Sequence, residues 1–267
     1  MKLCFILIFS CFAVLAMAFD PHNLWVSPEK TYQVYEDIEK ALVKPSAVKA
    51  LRLKNAGLKN IPAEIAEFKE LEILQLQNNA IKLTQNDLKI LENLSSLRSL
   101  VLTNNNIEVI SPEFIDALPA HALEALVLDK NMINGLPSNL HQLKNLEILE
   151  LGANDFNAFP EEVVKLQNLI YLGMIANKLS RLSADFSDID EMETMNFGGN
   201  DLKRVEILLP ESIVVVSFAA NKLENIQGNF SDCPNLKLLN LSRNPNLRLP
   251  GSLIQLKEKN VVRLSEK

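Results

Sequence analysis

Residues 146–156 read Leu-Glu-Ile-Leu-Glu-Leu-Gly-Ala-Asn-Asp-Phe, and the mature chain can be laid against them. Leu146, Leu149, Leu151, Asn154 and Phe156 mark the pattern L-x-x-L-x-L-x-x-N-x-L. Sliding it outward finds copies opening at Val48, Leu71, Leu97 and Leu123 on one side and at Leu169, Met192, Ile213 and Leu236 on the other. That makes nine copies, spaced by 23, 26, 26, 23, 23, 23, 21 and 23 residues. Nine successive matches at near-constant spacing define a repeat array, in which each unit is one short strand followed by a return.

Within each unit the residues equivalent to Leu149 and Leu151 point to one side of the strand and their neighbours to the other. The first set builds the core, so the second is expected to face water. Strands stacking in parallel lie about 4.8 Å apart while bulkier returns need more room, so the stack curves with its sheet on the concave side. An Asn follows the strand in eight copies: Asn79, Asn105, Asn131, Asn154, Asn177, Asn200, Asn221 and Asn244. Its amide is suited to backbone groups that a buried turn leaves unpaired. The first copy has Ala56 there. Returns such as Leu58-x-x-Ile61-Pro62-x-x-Ile65-x-x-Phe68 carry apolar residues three or four apart, the pattern of short helical or 3₁₀ turns. Three extra residues in the second and third returns predict fuller helices there, and Val261–Leu264 is expected to add a last edge strand.

Met1–Ala18 has one early lysine, an apolar run and Ala16-Met17-Ala18 before Phe19, the form of a secretory signal peptide cleaved after Ala18. Lipidation at Cys11 is the alternative processing. Cleavage leaves one of the three cysteines, Cys233, so no disulfide can form within the chain, and a buried apolar thiol is expected. The net charge of −6 becomes −7 without Lys2, which argues against nucleic acid. No later apolar run is long enough to span a membrane. Ser27-Pro28-Glu29 reads as a helix start, with Tyr35, Ile38 and Leu42 on one face and Lys44-Pro45 as the stop. The resulting organisation is a leader at 1–18, an N-terminal helical cap at 19–47 and a repeat domain at 48–267.

The 23-residue unit with Ile61-Pro62-x-x-Ile65, entered from a helix holding Tyr35, Ile38, Leu42 and Pro45, resembles the short secreted leucine-rich-repeat proteins of bacteria, including spirochaete ones. The resemblance covers residues 31–264. It implies an α/β right-handed solenoid with a curved parallel sheet on the concave face and short helices or 3₁₀ turns on the convex face. It also implies export and protein binding by the concave face. A monomer is expected, the alternative being a structural protein that assembles end to end through its terminal edge strand.

Catalysis leaves little trace. His22, His121 and His141 are scattered, and no metal spacing, phosphate loop or nucleophile elbow is present, so no metal or cofactor is expected. Asp129 and Glu150 project from adjacent strands with Cα atoms roughly 8 Å apart, a separation compatible with an inverting glycosidase. The preferred reading is an ordinary acidic patch on an open surface. More informative are the residue pairs ending each strand. Lys54-Asn55, Gln77-Asn78, Thr103-Asn104 and Asp129-Lys130 are polar, whereas Gly152-Ala153, Ile175-Ala176, Gly198-Gly199 and Ala219-Ala220 are bare, before Ser242-Arg243 restores polarity. Ile148, Tyr171 and Val215 are expected to be exposed beside this strip. A need for small side chains on a tight curve would apply equally to the first four repeats, so a docking strip about 19 Å wide is the sharper reading. Its expected contact residues are Ile148, Glu150, Gly152, Tyr171, Gly173, Ile175, Asn196, Gly198, Val215 and Ser217.

Overall fold

The computed structural model describes residues 32–264, so the leader and the helix start at Ser27 lie outside the described residues. Each of the nine pattern copies supplies one short strand. In order these are β2 (Ala50–Arg52), β3 (Ile73–Gln75), β4 (Ser99–Val101), β5 (Ala125–Val127), β6 (Ile148–Glu150), β7 (Tyr171–Gly173), β9 (Thr194–Asn196), β11 (Val215–Ser217) and β13 (Leu238–Asn240). They pair in parallel, each residue meeting its equivalent in the next coil, as Ile148 meets Tyr171 and Leu149 meets Leu172. Edge strands β1 (Val34–Tyr35) and β14 (Val262–Arg263) extend this to an 11-stranded sheet.

The N-terminal segment differs from the expected helix. Tyr35 lies in β1, paired to Leu51, and helix α1 (Ile38–Leu42) starts only at its N-cap Asp37, whose carboxylate accepts from the Lys40 N–H. An open sheet edge behind β2 takes a strand in preference to one more helical turn, because the strand satisfies backbone groups that the edge otherwise leaves unpaired.

Return length follows from rise per residue. The two 26-residue coils contain α2 (Gln85–Leu91) and α3 (Pro112–Asp116), whereas 23-residue coils use 3₁₀ turns such as Ser138–Gln142. Thr84 and Asp87 form a capping box at the start of α2, and Asp87 also accepts from the Ile61 N–H of the preceding coil. In three later coils, however, the return is extended: β8 (Arg181–Asp185), β10 (Arg204–Leu208) and β12 (Asn225–Gly228) form a second, three-stranded parallel sheet. This corrects the expectation of helices or 3₁₀ turns along the whole convex side. A strand advances about 3.3 Å per residue against about 2 Å for a 3₁₀ turn, so it closes a coil with fewer residues. The shortest coil, 21 residues from Met192 to Ile213, accordingly holds β10. Helix α4 (Gly251–Glu258) precedes β14 at the far end.

One continuous apolar core runs through all the coils. Leu residues dominate its first half, while Phe197 and Phe218 stack at 5.6 Å in its second half with Phe159 edge-on to Phe197. Cys233 is buried there, and burial pushes its thiol up to about 11, as an inert thiol requires.

The asparagine ladder looks backward along the coil. Asn154 donates to Leu128 O and Leu151 O and accepts from the Ile133 N–H of the preceding repeat. Because the first repeat has no such turn behind it, Ala56 suffices there. A second ladder, not anticipated from the sequence, joins the descending turns: the amides of Asn145, Asn168 and Asn235 donate to the carbonyls of His121, Lys144 and Glu211, one coil back.

Candidate functional site

The face of the large sheet opposite the core holds the candidate residues, and its structure departs from simple alternation. The second member of every strand-end pair is not on the sheet face. Asn55, Asn78, Asn104, Lys130, Ala153, Ala176, Gly199, Ala220 and Arg243 all have φ between 50 and 66°. That left-handed turn aims the chain into the coil and excludes β-branched residues. Ala153, Ala176 and Ala220 are therefore turn residues.

Ile148 and Tyr171, expected to be exposed, are 3% and 8% exposed and pack with Ala125, while Val215 is 9% exposed. Strands this close bring equivalent side chains into direct lateral contact, so a large side chain is covered by its neighbours. Glu150 is also buried, contrary to the open acidic patch anticipated. One of its oxygens accepts from the Gly152 N–H at 2.7 Å and the other from the Tyr171 hydroxyl at 2.8 Å. Asp129 accepts from the Thr103 hydroxyl at 2.6 Å. The Tyr171 phenol is raised far above its ordinary pKa, chiefly by burial and then by the Glu150 charge, so it stays a donor.

The same carboxylate explains two of the glycines. A Cβ on Gly173 would fall inside van der Waals contact with the Glu150 carboxylate, and one on Gly152 would meet its Oε1 at 2.7 Å. Their smallness accommodates Glu150 from within, with no partner needed. Gly173→Ala should push Glu150 aside and break its two hydrogen bonds, costing about 1–3 kcal/mol in a urea melt. In a Glu150→Ala background the same change should cost much less; equal costs in both backgrounds would refute the link.

Farther along the strip, Asn196, Ser217 and Asn240 each accept from the N–H two residues on, capping Gly198, Ala219 and Ser242. Gly198 is tighter than the sequence implies, since a Cβ there would lie 3.2 Å from Asn196 Oδ1 and 3.3 Å from Ala219 O. Ile175, by contrast, is 44% exposed between Gly152 and Gly198 on the neighbouring strands. At the opposite end of the strands, Lys49, Glu72, Arg98 and Glu124 form a chain of ion pairs, closest at 2.7 Å, and the Tyr32 hydroxyl donates to Glu72. Glu193, lower in the same row, has its carboxyl raised by partial burial and then by Glu191, with Lys237 opposing. Among the described residues no group of His, Cys, Asp and Glu is arranged to hold a metal, and no helix is long and apolar enough to cross a membrane.

One sheet strand per 21–26-residue coil, a backward-bonded asparagine ladder in the turns that follow the strands, and short helices, 3₁₀ turns or strands in the returns define an α/β leucine-rich-repeat solenoid. The chain is a leucine-rich-repeat protein. The leucine rich repeat family model matches residues 69–133 and 95–156. The chain is 35% identical over 102 residues to the U2 small nuclear ribonucleoprotein A' of Mycosarcoma maydis, a match covering 37% of this chain and 40% of that one. Its fold is similar to an internalin, InlF, of Listeria monocytogenes, with TM-score 0.65 and 20% identity over 83% of this chain and 62% of that one. It is also similar to a chain of the LRIM1/APL1C complex, with TM-score 0.63 and 21% identity over 83% of this chain and 41% of that one. The match thus spans less than two thirds of each relative, and the structural likenesses bear on fold alone.

Proposed function

We propose that this chain is an exported, non-enzymatic binding protein that holds a protein or peptide partner on its concave face. The observation that carries the reading is Ile175, a large apolar side chain 44% exposed on the sheet face with Gly152 and Gly198 on either side. An aliphatic group kept in water where polar residues would serve favours contact with another apolar surface. The internalin and LRIM1/APL1C likenesses support the fold on which such a face is built. Asp129 and Glu150, the pair considered for glycoside chemistry, hold the sheet face through their hydrogen bonds to Thr103, Gly152 and Tyr171.

Ile175→Arg is the test, and it is cleaner than a change at tightly packed Gly198. It leaves the core untouched, so circular dichroism should be unchanged, while affinity for a partner captured by the wild type should fall roughly tenfold or more. Convex-face Lys165→Glu is the control and should bind as wild type does. Unchanged binding by Ile175→Arg would move the interface elsewhere.

A further inference from the structure

One row of side chains crosses the concave face in register, and its two halves differ. On β2 to β6 the row closes on itself: Arg52 donates to Gln75, Val101 and Val127 are apolar, and Glu150 accepts from the Gly152 N–H and the Tyr171 hydroxyl. Gly173 follows, and beyond it the row continues as Asn196, Ser217, Asn240 and Arg263 on β9, β11, β13 and β14. Val262 is buried, so Arg263 beside it stands on the sheet face with the others.

These last four present donors. Asn196 and Asn240 commit Oδ1 to the N–H groups of Gly198 and Ser242, and the Ser217 hydroxyl oxygen accepts from that of Ala219. Those bonds fix which way each amide is turned, leaving NH2, O–H and NH2 unused, followed by the Arg263 guanidinium. None of these donors has a partner among the described residues, although Asn240 is only 9% exposed. The charges agree. Strand segments 214–220, 237–243 and 261–264 carry Lys237, Arg243 and Arg263 and no acid. Glu193, in the neighbouring segment, lies three residues or about 10 Å from Asn196 and is opposed by Lys237. Partly desolvated donors beside net positive charge call for an acceptor, and an ionised carboxylate is the side chain that only accepts.

Spacing narrows the ligand. Strands lie about 4.8 Å apart, so the four-residue row is about 14 Å long, while alternate side chains of an extended segment face one way and recur every 6.7 Å or so. An acid over Asn196 therefore puts the acid two residues on between Ser217 and Asn240. The acid four residues on then reaches Arg263, whose guanidinium can donate to both of its oxygens. Resting on the proposed binding face, we infer that the partner protein presents an extended acidic segment, with Asp or Glu at every second residue over five, laid across β9, β11, β13 and β14. Ile175 lies two residues beyond Gly173, the in-register neighbour of Asn196, so the same partner meets it at the near end of the row.

Synthetic peptides test this directly. A Gly/Ser-rich peptide with Asp at positions i, i+2 and i+4 is compared by calorimetry with one carrying Asn there and one carrying three contiguous Asp residues. It should bind at least about tenfold more tightly than the first and about threefold more tightly than the second, with affinity falling as salt rises. Asn196→Asp and Asn240→Asp keep the oxygen that caps the backbone and exchange the donor for an acceptor. Each should lose about tenfold in affinity for the alternating peptide with an unchanged circular dichroism spectrum. Asn157→Asp, exposed in the return after β6, makes the same charge change and should alter affinity less than about twofold. Equal binding by either comparison peptide, equal effects of Asn196→Asp and Asn157→Asp, no binding by any peptide, or tighter binding of an oligothymidylate of equal charge each overturns the inference. If Ile175→Arg still abolishes capture of the natural partner in that event, the binding face stands and only the acidic recognition fails.

Discussion

Leu149→Ala should lower unfolding free energy by about 2–5 kcal/mol, measured by urea melts of the described array. Leu149 is fully buried in β6, the middle of nine repeat strands, and pairs with Leu126 on one side and Leu172 on the other. Truncation there opens a cavity lined by two neighbouring coils, and neither can relax without disturbing the next. Leu264→Ala is the internal comparison. Leu264 only partly packs on the core beyond β14, where water can fill the space left, so its loss should cost under about 1 kcal/mol. Equal costs for the two would mean that the array does not derive its stability from nearest-neighbour stacking.

Leu149 was placed in the centre of the core from the repeat pattern alone, and so were all the pattern-opening residues from Val48 to Leu236. The period is visible because every coil must bury the same face, which constrains residue type at each third or second position. The convex strands were less visible because a five-residue element leaves a short signal. Yet Arg204-Val205-Glu206-Ile207 does alternate polar and apolar, and Val205 and Ile207 are the buried members. Reading each return for period two as well as for three-to-four spacing would have found it.

The concave face was legible in composition and misread in geometry. Alternation along one strand says which side Ile148 and Tyr171 occupy, but their burial depends on lateral neighbours 23 residues away in sequence. Likewise, glycine content alone cannot separate room made for a partner from room made for Glu150. Only the path of the Glu150 side chain across β7, ending on the Tyr171 hydroxyl, assigns Gly173 to the second cause, while Ile175 keeps its aliphatic side chain exposed on the same face.

Asn154→Leu should be at least as damaging as Leu149→Ala, although it replaces a polar residue with an apolar one of similar size in a buried site. Asn154 is 5% exposed, and its single amide serves groups on two coils, accepting from the Ile133 N–H at 3.0 Å and donating to Leu128 O and Leu151 O at 3.0 Å. Leucine fills the volume but leaves those three backbone groups with no partner away from water, at about 1–3 kcal/mol each, so about 3–9 kcal/mol before any offset is expected. Hydrophobic transfer favours the substitution by roughly 2 kcal/mol at most, so the unsatisfied groups decide the sign. Asn79→Leu makes the same chemical change at the second copy, where Asn79 is only partly buried, its amide accepting from the Ala56 and Leu58 N–H groups and donating to Leu53 O and Leu76 O. Water can replace those bonds at the end of the array, so the loss there should be about 1–2 kcal/mol. Calorimetric melts of the two variants should separate them clearly. If Asn154→Leu proved neutral or stabilising, the ladder would be a consequence of the coil's geometry and not one of the interactions that hold successive coils in register.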